Sequence, residues 1–151
     1  MRPGRRPPLV LKGRSVVEGR CVAEALVSSM PLSFLGGVDP RTGVVVERGH
    51  DLEGECVAGR ILCFPHGKGS TVGSYVLLAL KRRGLAPAGI VNELADPIVV
   101  VGAVMADIPM VVGVDIGELR TGDLVELDGG AGVVKVLERG PRGRDRVPDE
   151  G

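Results

Sequence analysis

A strand, a glycine-rich turn and a helix follow one another in residues 59–84, GRILCFPHGKGSTVGSYVLLALKRRG. The apolar run at the start predicts a buried strand, and apolar residues recur at helical spacing in the second half. Ser70 or Gly69 can cap the helix, and Gly84 is a natural end. The three basic residues before Gly84 face the negative end of the helix dipole. We therefore predict one main helix over about residues 70–83.

Short strands surround this helix in the sequence, because β-branched and alternating apolar runs recur between glycines and prolines. Strands are predicted at residues 9–11, 19–28, 43–47, 59–64, 88–91, 98–101, 110–114, 123–127 and 131–137. The last two flank Asp128–Gly129–Gly130, a strong hairpin signal. A short helical piece is predicted over 102–107. Many short strands with one main helix indicate a β-rich α/β domain rather than a doubly wound sheet.

Length and charge indicate the domain organisation. A chain of 151 residues has the usual size of one compact domain. Residues 1–20 carry six basic side chains and one acidic one, and the body that follows has an excess of acidic side chains. We predict a flexible basic arm at 1–8, the folded domain at 9–138 and a disordered tail at 139–151.

Composition argues against several classes of function. An acidic body is a poor binder of duplex DNA, and three aromatic side chains offer little for stacking on single strands. The sequence shows neither an apolar run of 18 residues nor a secretory signal, so we expect no membrane contact and a cytoplasmic location. Cys21, Cys56 and Cys63 are odd in number and scattered, which favours reduced, mostly buried thiols over disulfides.

The turn between strand and helix is the best candidate for a chemical site. Unpaired N–H groups at a helix N-terminus bind anions and stabilise negative charge. Gly67 and Gly69 let a ligand approach the backbone closely. Ser70 places a hydroxyl in this field, although serine is also an ordinary helix cap at such a position. Lys68 is either an anion contact or a solvated loop charge.

Two other interpretations of this turn fail. A nucleotide-binding P-loop needs a glycine where the chain has Leu62, and a hydroxyl residue directly after Lys68, which is absent. Cys63 and His66, with one Cys and one His upstream, match no strong zinc spacing. We predict no metal ligands in this chain. His66 is near enough in sequence to Ser70 to merit a test as a base.

Three segments resemble the small subunit of the aconitase X family, most closely its phosphomevalonate dehydratase branch. They are PLSFLGGVDPRTGVV at 31–45, GHDLEGECVAGRILCFPHGKGSTVGSYVLL at 49–78 and APAGIVNELADPIVVVGAVMADIPMVV at 86–112. The resemblance covers about residues 9–137, and the blocks SF-x-GGVDP and P-x-G-x-GS are its most specific parts.

The resemblance implies a fold similar to the swivelling β/β/α domain of aconitases. It also implies a hydro-lyase that is active only with a large subunit and dehydrates (R)-5-phosphomevalonate to trans-anhydromevalonate 5-phosphate, in a mevalonate route to isoprenoids. Ser70 stands where the family has its proton acceptor. Because three scattered cysteines do not make a ligand set, the [4Fe-4S] cluster is expected in the large subunit. We assign the substrate side of the cleft to Ser33, Gly36, Gly37, Gly67, Lys68 and Gly69.

Other functions stay open on the sequence alone. The other branch of the family dehydrates cis-3-hydroxy-L-proline. Residues 108–113 and 121–129 are similar to the closing half of phosphohistidine swivelling carrier domains. Those carriers have their histidine at the helix start, where this chain has Ser70, whereas His66 precedes the glycines. A third alternative is an assembly subunit without a catalytic role.

Overall fold

The fold is taken from a computed structural model that describes residues 8–140. Within these residues lie ten strands, two α-helices and one short 3-10 helix at Ile116–Glu118. The elements are β1 (Leu9–Lys12), β2 (Arg14–Val17), β3 (Arg20–Val27), β4 (Leu32–Ser33), β5 (Ile61–Phe64), β6 (Gly67–Lys68), α1 (Gly73–Arg82), β7 (Gly89–Asn92), α2 (Pro97–Ala106), β8 (Met110–Val112), β9 (Leu124–Asp128) and β10 (Val133–Glu138).

Eight strands form one sheet in the order β1-β10-β9-β3-β5-β7-β8-β2, and β4 and β6 form a separate pair. Strands β3, β5, β7 and β8 pair in parallel, whereas the other pairs of the large sheet are antiparallel. Val133 of β10 lies opposite Asp128 of β9, which confirms the predicted hairpin.

The parallel strands are covered on both faces. In β5, Leu62 and Phe64 pack in the cluster that contains the inner faces of α1 and α2, whereas Ile61 and Cys63 pack with β9 and β10. All four side chains are fully buried. Because alternate residues of a strand point to opposite faces, the helices lie on one side of these strands and the hairpin on the other. The predicted β-rich α/β class and β/β/α layers are confirmed.

Helix α1 is the predicted main helix, but it is shorter than residues 70–83. It begins at Gly73, and Val72 occupies the N-cap position without a side-chain capping bond. The prediction that Gly69 or Ser70 caps the helix is wrong. Ser70 Oγ instead accepts the N–H of Val72 at 3.1 Å, within the turn that leads into the helix.

A second helix takes the place of the predicted strand 98–101 and includes most of the helical piece predicted at 102–107. Helix α2 is as long as α1, so the expectation of a single main helix is wrong. Asp96 caps α2 by accepting the N–H groups of Ile98 and Val99, and Pro97 stands at the first helical position. Capping and packing against α1 override the strand propensity of the valines that follow.

Two other strand predictions need correction. Residues 43–47 form only isolated bridges, Val44 with Cys56 and Val38 with Val45. Strand β2 was not predicted, because its four residues RSVV give too short a pattern to distinguish it from a loop. It pairs with the edge of β8 through an irregular register.

The termini lie largely outside the described residues. The predicted arm at 1–8 falls outside them except for Pro8, and the predicted tail falls outside them from residue 141 onward. Arg139 and Gly140, which the sequence assigns to that tail, instead bind Asp123. No helix among the described residues is long and apolar enough to cross a membrane.

Candidate functional site

Two glycine-containing loops meet at one end of the sheet. Strand β4 runs parallel to β6, with Leu32 opposite Gly67 and Ser33 opposite Lys68. The turn after β5 and the loop that follows β4 are therefore neighbours, although more than 30 residues separate them in the chain. This pairing brings together the residues that the sequence analysis assigned to the cleft.

Gly67 fixes the turn to helix α2. Its N–H donates to Asp96 Oδ2 at 3.0 Å, and the same carboxylate caps α2. A Cβ at Gly67 would stand 2.5 Å from Asp96 Oδ2 and 2.6 Å from Val99 Cγ2, so a larger residue would displace the turn. Asp96 is not among the site residues predicted from the sequence. The dipeptide Asp96–Pro97 was its signal, because Asp before Pro is typical of a helix start.

Gly37 and Gly69 let the two loops pack against each other, whereas Gly36 leaves open space beside them. Gly69 has a φ of +87°, and a Cβ there would lie 2.6 Å from Ser33 Oγ. A Cβ at Gly37 would overlap the carbonyl oxygen of Ser33. Gly36 has a φ of +84° and nothing within 4 Å of a built Cβ. Ser33, Gly37 and Gly69 therefore form one contact between the two loops, and Gly36 faces open space beside it.

Glu47 joins the loops through its two carboxylate oxygens. Oε1 accepts the N–H of Ser33 at 3.1 Å, and Oε2 lies 2.7 Å from Lys68 Nζ. Partial burial opposes ionisation of Glu47, but the hydrogen bonds from Lys68 and the Ser33 N–H outweigh it, so the pKa of Glu47 lies below its ordinary value. Glu47 cannot be recognised from the sequence, since nothing in the local pattern places it opposite Lys68.

Lys68 is therefore neither a free anion contact nor a purely solvated charge. Its side chain is half exposed while its ammonium is held by Glu47. An ammonium has three donors, so Lys68 keeps capacity for an anionic ligand while Glu47 fixes its position.

Ser70 is exposed beside this contact. The carbonyl oxygens of Ser70, Thr71 and Val72 accept the first N–H groups of the helix turn, so the expected unpaired helix amides are occupied. The N–H groups of Ser70 and Thr71 themselves make no hydrogen bond within residues 8–140. The hydroxyl of Ser70 accepts one N–H, from Val72. The free donors thus lie at the turn before the helix rather than on the helix.

His66 takes no part in a dyad with Ser70. Its Nδ1 lies 2.7 Å from the carbonyl oxygen of Gly67, and no hydrogen bond joins His66 to Ser70 in the described part of the chain. The ring is half-buried against its own turn.

The cysteines of this chain do not fit an iron–sulfur cluster. Burial raises the pKa of the Cys63 thiol, and the charge of Asp123 raises it further. Burial also raises the pKa of Cys21. Cluster ligands are thiolates gathered at one place, whereas these thiols favour the protonated form. Among residues 8–140, no group of three or more His, Cys, Asp or Glu is placed to hold a metal.

The structure is therefore a three-layer β/β/α domain with a glycine-containing turn and a facing loop at one end of the sheet, which is the architecture of swivelling domains. The sequence profile described as aconitase X swivel domain matches residues 10–136, and the chain belongs to that family.

Similar proteins agree over nearly the whole domain. The chain is 53% identical to a Thermococcus kodakarensis protein named phosphomevalonate dehydratase small subunit, over 86% of this chain and 98% of that one. It is 46% identical to a Methanosarcina acetivorans protein of the same name, over 90% and 95% of the two chains. A crystal structure of Thermococcus kodakaraensis aconitase X in its holo-form superposes with a TM-score of 0.85 at 52% identity, covering 86% of this chain and 99% of that one.

Proposed function

We propose that this chain is the small subunit of a phosphomevalonate dehydratase. In this proposal, a hydro-lyase complex removes water from (R)-5-phosphomevalonate to give trans-anhydromevalonate 5-phosphate, in a mevalonate route to isoprenoids. Relatives that share about half of their residues with this chain bear the name of that subunit. The observation that carries the proposal is the exposed hydroxyl of Ser70 beside the contact between the two glycine loops.

Ser70 is the proton acceptor in this proposal. The C–H bond next to the substrate carboxylate breaks, its proton moves to Ser70 Oγ, and its electron pair forms the double bond as the hydroxyl leaves. A serine is a weak base in water, so its alkoxide must be stabilised. The N–H of Val72 already points at Oγ, and the unpaired N–H groups of Ser70 and Thr71 add positive field at the same turn.

The glycine loops form the substrate side of the cleft. Gly69 and Gly36 are exposed and keep the backbone of the turn and of the facing loop accessible, whereas Gly67 and Gly37 are buried and let these segments pack closely. Ser33 shapes that loop, because its hydroxyl donates to the carbonyl oxygen of Leu35 at 3.0 Å.

Lys68 provides positive charge for the phosphorylated hydroxy acid. Glu47 holds the ammonium in place before the substrate arrives, which lowers the entropic cost of forming the contact.

The large subunit completes the site. Since the thiols of this chain do not fit a cluster, we assign the [4Fe-4S] cluster of the complex to the large subunit. The two subunits form a hetero-oligomer in which Ser70 faces the partner. The small subunit alone is then inactive, because its described residues supply a base and an anion contact, while the group that assists departure of the hydroxyl is assigned to the large subunit.

An anaerobic assay of the complex with three compounds tests this function. The chain and its purified cognate large subunit, separately and together, are given (R)-5-phosphomevalonate, unphosphorylated mevalonate or cis-3-hydroxy-L-proline. We expect turnover of phosphomevalonate only when both subunits are present. Turnover of hydroxyproline in preference to phosphomevalonate would contradict the assigned substrate. Equal turnover by the large subunit alone would contradict a catalytic role for this chain.

Lys68→Ala, measured in the same assay, tests whether the Lys68 ammonium binds the substrate. We expect a higher KM for phosphomevalonate and a nearly unchanged kcat, because the ammonium contacts a part of the substrate that does not react. A variant with unchanged KM would remove Lys68 from the anion site.

A further inference from the structure

Helix α2 exposes an apolar face. None of its ten residues, PIVVVGAVMA, has a charged or polar side chain. Val99 and Ala103 point into the core and are fully buried, whereas Val101 is 48% and Val104 58% exposed. A helix that is apolar on every side is one that is buried on every side. The outer face of α2 is therefore suited to a cover that residues 8–140 do not supply.

A groove between α1 and α2 extends this face. It has a volume of about 300 Å³ and is lined by Thr71, Tyr75, Val101 and Met105, among others. The helices approach closely because Gly102 has no side chain. A Cβ at this position would stand 2.6 Å from Leu77 Cδ1.

The most buried hydroxyl of the groove, that of Ser74, is already satisfied. The hydroxyl of Ser74 donates to the carbonyl oxygen of Ile98 at 2.6 Å, so it needs no hydrogen-bond acceptor from a ligand. Tyr75, by contrast, is 62% exposed at the edge of the groove. A large exposed aromatic residue over an apolar groove is typical of a protein–protein contact.

The groove is continuous with the candidate site. Thr71, at one end of it, directly follows Ser70. In the proposed function the large subunit must cover Ser70, and this step rests on that proposal. A partner that covers Ser70 and continues along α1 enters the groove.

Charge distinguishes between two possible occupants of the face. Lys81, Arg82 and Arg83 are exposed at the far end of α1, and neither helix contains an acidic residue. A second copy of this chain would bring the same three cations to the contact, against the carboxylate of Asp107 at the C-cap of α2, whose carbonyl oxygen already binds Lys81. A partner with carboxylates opposite these cations fits the face better.

We infer that the outer face of α1 and α2, formed by Thr71, Tyr75, Val101, Val104 and Met105, is a docking surface for the large subunit. The segment that occupies it is apolar in the middle and acidic at the end that meets Arg82 and Arg83. The contact positions the large subunit over Ser70.

Binding without substrate tests this docking surface. Val101→Lys puts a charge in the middle of the groove and retains a good helix former. Val22→Lys is the matched control, because Val22 is 55% exposed on β3, away from both helices. With purified cognate large subunit in a calorimetric titration, we expect at least tenfold weaker binding for Val101→Lys and binding within twofold of wild type for Val22→Lys. Thermal unfolding of each variant checks that the fold is retained.

The outcomes separate docking from the proposed function. Equal affinities for Val101→Lys and Val22→Lys would overturn the docking surface, even if the complex dehydrates phosphomevalonate. A wild-type chain that sediments alone as a dimer, with Val101→Lys monomeric and its affinity for the large subunit unchanged, would assign the face to a second copy instead. Weaker binding by Val101→Lys in a complex that turns over no phosphomevalonate would support the docking surface and contradict the function.

Charge reversal tests the acidic end of the partner. Arg83→Glu is expected to weaken binding severalfold at low salt and to reduce the salt dependence of the affinity. An unchanged affinity and salt dependence would contradict carboxylates at that position of the partner.

Discussion

Asp123 and Glu47 both hold loops together through carboxylate oxygens, but they do so in opposite settings. Asp123, beside the hairpin, is fully buried. It accepts the Gly140 N–H at 2.8 Å and the Arg139 guanidinium at 2.6 Å, in addition to a backbone N–H of its own turn. Glu47, at the cleft, holds Ser33 and a Lys68 that stays half exposed.

The difference separates a stabilising region from a functional one. Near the hairpin, the Asp123 carboxylate accepts hydrogen bonds from three donors of the same chain, which is typical of a network that serves stability. At the cleft, Lys68 keeps donors for a ligand, and the N–H groups of Ser70 and Thr71 have no partner within the described chain. Changes at Asp123 should therefore act on stability alone, whereas changes at the cleft can act on both stability and activity.

The largest effect on stability is expected from Asp123→Ala. The buried Gly140 N–H would lose its acceptor and the partly exposed Arg139 guanidinium its ion pair, which together cost about 3 kcal/mol. Urea unfolding measures this loss. The activity per folded complex should stay unchanged, and a specific loss of activity would break the division between the two regions.

Gly67→Ala should affect both stability and activity. The new Cβ would collide with Asp96 and Val99, so we expect a loss of about 2 kcal/mol in the free energy of unfolding and a fall in kcat of about tenfold to a hundredfold. Gly130→Ala is the control, because Gly130 is exposed at the hairpin and a Cβ there meets nothing closer than 3.7 Å. Equal activity of the two variants would show that the position of the turn does not matter.

Glu47→Gln should have the smallest effect on stability, about 0.5 kcal/mol, because its partner Lys68 is half exposed. The pKa of Glu47 is lowered in the folded state, so its contribution is present above the unfolded pKa and is lost as the pH falls through the folded pKa. The difference between wild type and variant should thus be largest near neutral pH and vanish in acid. Urea unfolding as a function of pH checks this, and a difference that grows in acid would contradict the sign.

Local sequence patterns predicted most of the fold. The hairpin carried its own turn residues, and β5 and α1 each had a pattern of the right period. The first half of α2, residues 98–101, is predicted as a strand because the valine run outweighs the Asp96–Pro97 start signal, whereas the second half falls in the predicted helical piece 102–107. Propensity is a weaker guide there than the cap, since packing against α1 decides the outcome.

The candidate site was only partly predictable. Glycine motifs and the family resemblance singled out Ser70 and the turn around it. The pairing of Ser33 with Lys68 joins residues distant in sequence through a two-residue strand, which leaves no periodic signal. Asp96 and Glu47 act on the site through backbone N–H groups and an ion pair, and such contacts exist only once the chain is folded.

The role of Ser70 is tested most directly by anaerobic turnover of (R)-5-phosphomevalonate with the large subunit and either Ser70→Ala or Ser29→Ala. Ser29 is exposed and lies outside the cleft contacts, so its variant is the matched control. We predict that Ser70→Ala lowers kcat by about a thousandfold while subunit affinity stays within twofold, and that Ser29→Ala is as active as wild type. Wild-type turnover by the Ser70→Ala complex would contradict the account and leave the serine a structural role in the turn.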